Sequence, residues 1–282
     1  MKNRQRAAKL AVVVIVATAA FAAGETRKQY RFTVGPGAKV TITNQFGPIT
    51  VKPGHSNEVV VTAILHSNKV EVDHDQSGSR VDILSHLLPG ADADSGRVDY
   101  DVIVPADASL NLHSTTGTLH AEKLRGDVTV EGANASVDVR DVSAAHVHVK
   151  TLNGPVTLTN VREGHVEITS VSGDVTLNSV SGPLVQVNST NGRILYDGDF
   201  GAGGDYRLSS HTGNIEATAP IDASMSVTAR SEHGAVENDF PLQPKHTPFV
   251  VKAGSAFAGT MGKAASSVKL FSISGKIHLK KR

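Results

Sequence analysis

The sequence predicts an all-β fold, a parallel β-helix (β-solenoid) with two short strands in each coil of about 19–21 residues and a β cap at its N-terminal end. Three observations carry this. A serine or threonine stands three residues before a glycine, and a branched apolar residue two after it, repeatedly over residues 114–279. A second series of small residues runs half a period out of phase with the first. Apolar residues alternate at two instead of recurring at three and four, which selects strands over helices.

The chain opens with the shape of a secretory signal over residues 1–22: Lys2, Arg4, Arg6 and Lys9, then an apolar run over 10–21. Ala20-Phe21-Ala22 supplies a small-x-small site, so cleavage is expected after Ala22. An uncleaved membrane anchor is the alternative, and the run is shorter than the ~20 residues a spanning helix needs. With no cysteine there is no lipid-bearing residue at a mature N-terminus and no disulfide framework, so the strand ladder must supply stability by itself. Loss of residues 1–22 leaves 24 basic against 27 acidic residues, a formal charge of −3. That is no electrostatic footprint for nucleic acid. The one basic run, Lys280-Lys281-Arg282, reads as a solvated tail.

Residues 23–112 read as the β cap with the first coils. Strands are expected at 30–34, 39–43 and 49–51, then longer and partly antiparallel ones at 59–65, 69–73, 80–84 and 97–104, separated by Ser/Gly/Asp-rich turns. Asn44-Gln45-Phe46-Gly47-Pro48-Ile49-Thr50-Val51 already matches the repeat, with Asn44 in the hydroxyl position and Ile49 and Val51 inside.

Residues 113–282 form the solenoid proper. Its first series of glycines is Gly117, Gly154, Gly173, Gly192, Gly213, Gly234 and Gly275, at spacings of 37, 19, 19, 21, 21 and 41. Before them stand Ser114, Thr151, Ser170, Ser189, Ser210, Ser231 and Ser272; after them Leu119, Val156, Val175, Ile194, Ile215, Val236 and Ile277 point inside. Ala135 replaces the glycine of the coil between Gly117 and Gly154. The second series, Gly126, Ala145, Gly164 and Gly182, places Val128, Val147, Val166 and Leu184 inside. Strands one coil apart are parallel, giving two sheets across a thin aliphatic core, and roughly eight coils at about 4.8 Å make a rod about 40 Å long. The stacked hydroxyls belong to the bends, where Ser and Thr bond neighbouring backbone, in preference to a binding face. Two stretches break the period. Residues 197–205 are a short glycine-rich excursion, and 240–269 a longer one carrying Pro241, Pro244 and Pro248 with Phe240, Phe249 and Phe257, and Phe271 just beyond. The longer one reads as a cap over the last coil, with a binding loop as the alternative.

Candidate chemistry is sparse. His146 and His148 share an outer face, His165 stacks on His146 and Glu167 on His148 one coil later, a patch of ligand types that suit zinc or copper. Flat strands splay such side chains outward, so no metal and no cofactor is assigned. Arg125-Gly126-Asp127, a tripeptide some adhesive proteins show to receptors, is accounted for by Gly126 as a bend residue. Outward Asp138, Asp174, Glu216 and Glu237 form no cluster. Motifs for serine, zinc or phosphate chemistry are missing, as is a cysteine nucleophile, so no catalytic residue is assigned. Aromatic residues are 4% of the chain and tryptophan is absent, which leaves few stacking platforms for sugars or bases.

At Val104-Pro105-Ala106-Asp107-Ala108-Ser109-Leu110, Thr115-Thr116-Gly117 and the S/T-x-x-G-x-V repeats, the sequence resembles a bacterial "putative adhesin" domain family of unknown function. The resemblance runs over residues 32–279. It implies an exported or membrane-tethered envelope protein with a β-solenoid fold, similar to the head domains of auto-transporter adhesins, and it carries no catalytic motif. The expected protein is a non-enzymatic secreted or cell-envelope interaction module in the periplasm or at the cell surface, with a protein or glycan partner, no nucleic acid, and membrane attachment only through an uncleaved N-terminal segment. The alternatives are a self-assembling envelope scaffold and an extracytoplasmic sensor linked to envelope-stress signalling.

Overall fold

The computed structural model of the chain describes residues 20–21, 25–244 and 256–282. The expected leader lies outside the described residues except for Ala20 and Phe21, as do its cleavage point and Phe249 of the long excursion. All regular structure among the described residues is strand.

The N-terminal end contains β1 (Ala20–Phe21), β2 (Glu25–Thr33), β3 (Lys39–Phe46), β4 (Ile49–Gly54), β5 (Glu58–Leu65), β6 (Val70–Ser77), β7 (Arg80–Leu87) and β8 (Val98–Pro105). Two long strands follow, β9 (Ser109–Glu122) and β10 (Val128–Arg140), each running through both walls of the rod and so joining them into one continuous sheet. Beyond them the strands are short and alternate between the walls: β11 (Val147–Asn153), β12 (Val156–Thr159), β13 (His165–Ser172), β14 (Val175–Asn178), β15 (Leu184–Ser189), β16 (Ile194–Asp197), β17 (Asp205–Ser210) and β18 (Ile215–Ala219). The chain closes with β19 (Met225–Ser231), β20 (Val236–Asn238), β21 (Gln243–Pro244), β22 (Ala256–Met261), β23 (Ser266–Ser272) and β24 (Ile277–Lys281).

The parallel β-solenoid expected from the repeat is what the chain forms. Val128, Val147 and Val166 align in register along the first wall, and Val156, Val175 and Ile194 along the second. Alternation puts every second residue inside: Val149, Ile168, Val187 and Leu208 of the first wall and Val156, Val175, Ile194 and Ile215 of the second are all essentially without solvent exposure. The second series departs from expectation at one coil. Val185, and not Leu184, pairs with Val166 and is buried, because the ladder keeps its period of 19 through this coil, with Arg162 opposite Ser181, while Gly182 comes one residue early at 18 from Gly164.

Why the bends demand glycine is visible in the stacking. A Cβ on Gly213 would overlap the carbonyl oxygen of Gly192; one on Gly192 that of Gly173, and one on Gly173 that of Gly154. The second series repeats this, with Gly182 against Gly164 and Gly164 against Ala145. Only some of these glycines have positive φ, Gly173 among them at 132°, whereas Gly192 and Gly213 do not. Close approach of one coil's backbone to the next is therefore the common cause, and conformational freedom a secondary one.

At both ends the coils depart from chain order. The spacing of 41 from Gly234 to Gly275 does not climb two rungs; it steps back one. β23 pairs in parallel with β17 on one side and β19 on the other, and β24 likewise lies between β18 and β20. The last coil of the sequence is thus threaded between the two before it. At the N-terminal end, β3 lies between β7 and β9, and β4 between β8 and β9. Each end also carries a clasp. β4 and β5 are joined by a short turn yet hold β8 between them, and β22 and β23 are joined by residues 262–265 yet hold β19 between them.

The long excursion is correspondingly shorter than the sequence suggests. Ser266 to Lys269 already belong to β23, while β22 runs antiparallel along the outer edge of β19 and Phe240 is buried against the final coil, whose Asn238 is exposed. The short excursion is an internal plug. Phe200 stacks on Tyr196 with ring centres 4.4 Å apart and meets Tyr206 edge-on at 5.0 Å, all three fully buried. The Tyr196 hydroxyl donates to the Val180 carbonyl at 3.0 Å.

Gly213→Ala is expected to cost about 2–3 kcal/mol, because two backbones must part, whereas Gly37→Ala, with open space around it and φ of +62°, costs ~1 kcal/mol; thermal unfolding of the two variants checks the contrast. The interleaved order is checked by cysteine pairs in a chain that has none of its own. Ser209→Cys with Phe271→Cys, register partners on β17 and β23, cross-links under mild oxidation. Ser209→Cys with Arg230→Cys, neighbours only if coils followed chain order, lies about 9.6 Å apart and does not.

Candidate functional site

The hydroxyl column is interior. Ser114, Thr151, Ser170, Ser189, Ser210, Ser231 and Ser272 are all buried. Ser272 Oγ accepts from the Gly275 N–H at 2.8 Å and Ser210 Oγ from the Gly213 N–H at 2.9 Å, each bond closing its own bend. Ser231 Oγ donates across to the Gly275 carbonyl at 2.8 Å, tying neighbouring coils. Asn44 fills the same position with its side-chain amide, donating to the Val98 carbonyl at 2.8 Å while its oxygen accepts from Ser85 at 2.8 Å. Thr151 Oγ1 alone in this column is buried without a hydrogen-bond partner.

The outward face of β11 and β13 is the candidate site. Register places His148 beside Glu167, and His146 and His165 lie side by side two positions earlier, on the same outward face. The His146 and His165 rings are 4.7 Å apart and tilted by 37°. His148 Nδ1 lies 3.5 Å from Glu167 Oε2. The four side chains form two separate pairs, and among the described residues no group of three histidine or carboxylate side chains converges as a metal cage. The patch continues along both strands with Lys150 and Leu152 on β11 and Thr169 and Val171 on β13, all exposed, Leu152 by 50% and Val171 by 40%. The two apolar residues went unnoticed in the sequence reading, although each stands one place after a buried hydroxyl and so has outward parity.

The remaining candidates resolve into structure. Gly126 packs directly on the Ala108 carbonyl, and Asp127 Oδ1 accepts from the His146 N–H at 2.9 Å, so the Arg125-Gly126-Asp127 tripeptide is a bend. The scattered acids each have partners across coils. Asp138 takes His120 at 3.0 Å and Arg140 at 2.8 Å; Asp174 takes Arg193 at 2.6 Å, which holds its carboxyl below the usual range. The basic tail is not simply solvated: Lys280 Nζ is 2.7 Å from Glu216 and Arg282 Nε 3.4 Å from Asp197. Burial pushes the Tyr100 and Tyr196 hydroxyls well above their ordinary value, so both stay neutral.

Ser272→Ala is expected to cost about 1–3 kcal/mol, because the buried Gly275 N–H loses its acceptor. Thr151→Val, which removes an unpartnered hydroxyl while keeping the shape, is expected to be neutral or stabilising. Denaturant unfolding of both variants measures the difference.

No curated protein matches the chain. Among solved structures, it is similar in fold to a "putative adhesin" from Bacteroides fragilis (TM-score 0.46, 11% identity, covering 91% of this chain and 97% of that one). A "putative adhesin" from Parabacteroides distasonis gives a TM-score of 0.45 at 11% identity, over 91% of this chain and 97% of that one. A "putative cell adhesion protein" from Clostridium sporogenes gives 0.29 at 13% identity, over 91% and 100%. The family model described as Toastrack DUF4097 matches residues 38–280, which spans both clasps and every coil between them, and the chain belongs to that family.

Proposed function

We propose that the protein is a non-enzymatic interaction module, exported to the cell envelope or surface, that receives its partner on the flat outer face of β11 and β13. The observation that carries this reading is the patch of His146, His148, His165 and Glu167 running into the exposed Leu152 and Val171: it mixes titratable, polar and apolar groups on the outer face of two paired strands, a composition suited to contact with an extended surface. A non-enzymatic role is further supported by how the acids are spent. Asp82, Asp174, Asp205 and Glu237, all held below the usual carboxylate range, each face an arginine or lysine: Arg80, Arg193, Arg207 and Lys276 respectively.

The test is co-sedimentation of the protein lacking residues 1–22 with purified peptidoglycan, and in parallel with lipopolysaccharide. One of the two is expected to carry the protein down, and the uncharged double variant Leu152→Ser, Val171→Thr to weaken that binding about tenfold, the equivalent of ~1.4 kcal/mol. Both substitutions sit on the exposed face, so the variant keeps the wild-type melting temperature. Binding to neither polymer, or binding the double variant leaves unchanged, removes the reading.

A further inference from the structure

We propose that the rung between the β17–β18 coil and the β19–β20 coil is a charge-keyed acceptor for a cationic strand pair, and that residues 266–282 of a second copy can fill it in exchange for the chain's own, linking two rods through their C-terminal coils.

The argument starts from the threading. The final segment carries Lys269, Lys276, Lys280, Lys281, Arg282 and His278, and no acid. The coils on either side carry the acids it meets. Lys269 Nζ lies 3.5 Å from Asp205, Lys280 Nζ 2.7 Å from Glu216, and Lys276 Nζ 2.7 Å from Glu237. His278 sits between Glu237 at 3.6 Å and Asp239 at 3.1 Å. One like-charge neighbour, Arg207 beside Lys269, is bridged by Asp205, which pairs with both. On the β19 side Lys269 meets Thr228, and Phe271 meets Arg230.

The repeat itself does not choose this order. Ser210 and Ser231, and Gly213 and Gly234, are one period of 21 apart and would align if β19 and β20 stacked directly on β17 and β18. That stacking would set Glu237 beside Glu216, two carboxylates at about the 4.8 Å strand spacing, an unfavourable pair across a ladder. Inserting the cationic coil puts His278 between them. Charge alternation therefore distinguishes the interleaved stack from the sequential one where hydrophobic register does not.

The same geometry makes the occupant separable. The strand pair is joined to β22 only by residues 262–265, which cross over β19 with Gly262 at φ of 61° and Ala264 at 52°, the second a left-handed conformation that costs a non-glycine residue energy. Ser224 pins this turn, its Oγ accepting from the Lys263 N–H at 2.9 Å and the Ala265 N–H at 3.3 Å. A short, strained connection whose opening relieves strain is the arrangement that favours exchange of an identical element between copies. Nothing in the acceptor distinguishes its own segment from another copy's, because the contacts are ladder hydrogen bonds and ion pairs whose charges repeat in every copy.

The experiment uses two full-length variants. One reverses the segment (Lys269→Glu, Lys276→Glu, Lys280→Glu) and the other the acceptor (Asp205→Lys, Glu216→Lys, Glu237→Lys). Alone, each sets like charges together; refolded as an equal mixture with tags of different mass, each offers what the other lacks. Heterodimer is expected to exceed monomer at least about tenfold in the mixture, with homodimers absent. A mixture that stays monomeric overturns the proposal. Because the variants could fail to fold for other reasons, a wild-type chain lacking residues 263–265 gives a second readout: the remaining link spans about 7 Å, short of the about 9.6 Å across β19. It is expected to be a dimer by light scattering, and a monomer or insoluble protein overturns the proposal as well.

Discussion

The structure rests on how closely one coil's backbone lies on the next. Parallel strands sit about 4.8 Å apart, and where the chain bends between walls the carbonyl of one coil occupies the space that a Cβ of the next would need. Glycine at Gly173, Gly192, Gly213 and Gly275 is the answer to that constraint. Once the bends are closed this tightly, the hydroxyl three places earlier is enclosed too, which is why Ser210 and Ser272 turn inward to the backbone and present nothing to solvent. The thin core of valine, isoleucine and leucine follows from the same spacing, since two walls joined by bends of a few residues leave room for one aliphatic side chain from each.

Much of this was legible in the sequence because it repeats locally. Each coil states its own bend, its own inward pair and its own register, so the fold class, the double series and the outward position of His146, His148, His165 and Glu167 all follow from counting. Where counting failed, the cause was physical. Between Gly164 and Gly182 the glycines are 18 apart while the ladder keeps its period of 19, so counting from the glycine places Leu184 inside where Val185 stands. The order of coils at the two ends was invisible because aliphatic register is the same for every rung; the information lay in which charges become neighbours, and that depends on the order itself. Lys280 and Arg282 read as a loose tail for the same reason: Glu216 and Asp197 are distant in sequence and adjacent only once the last coil is threaded.

The candidate face shows the complementary limit. Parity alone places Leu152 and Val171 outside, yet an apolar residue in an apolar repeat draws no notice until the buried neighbour on either side is counted. The histidines, more conspicuous in the sequence, separate into one ring pair and one imidazole–carboxylate pair, because parallel strands hold side chains at fixed spacing and give them no point to converge on. A wall of this kind offers area and pattern instead of a pocket, and functional specificity on it must be distributed over several residues.

The clasps also bear on how such a rod could change length. In the middle, from β10 to β17, chain order and spatial order agree, and any coil there could be duplicated with its neighbours still in register. A coil appended after Arg282 would instead emerge from within the stack, one rung short of its end, and would have to cross over β20 to reach the outer edge. Internal duplication is thereby the more direct way to lengthen the rod. The two ends, fixed by threading, would persist unchanged while the number of coils between them varied.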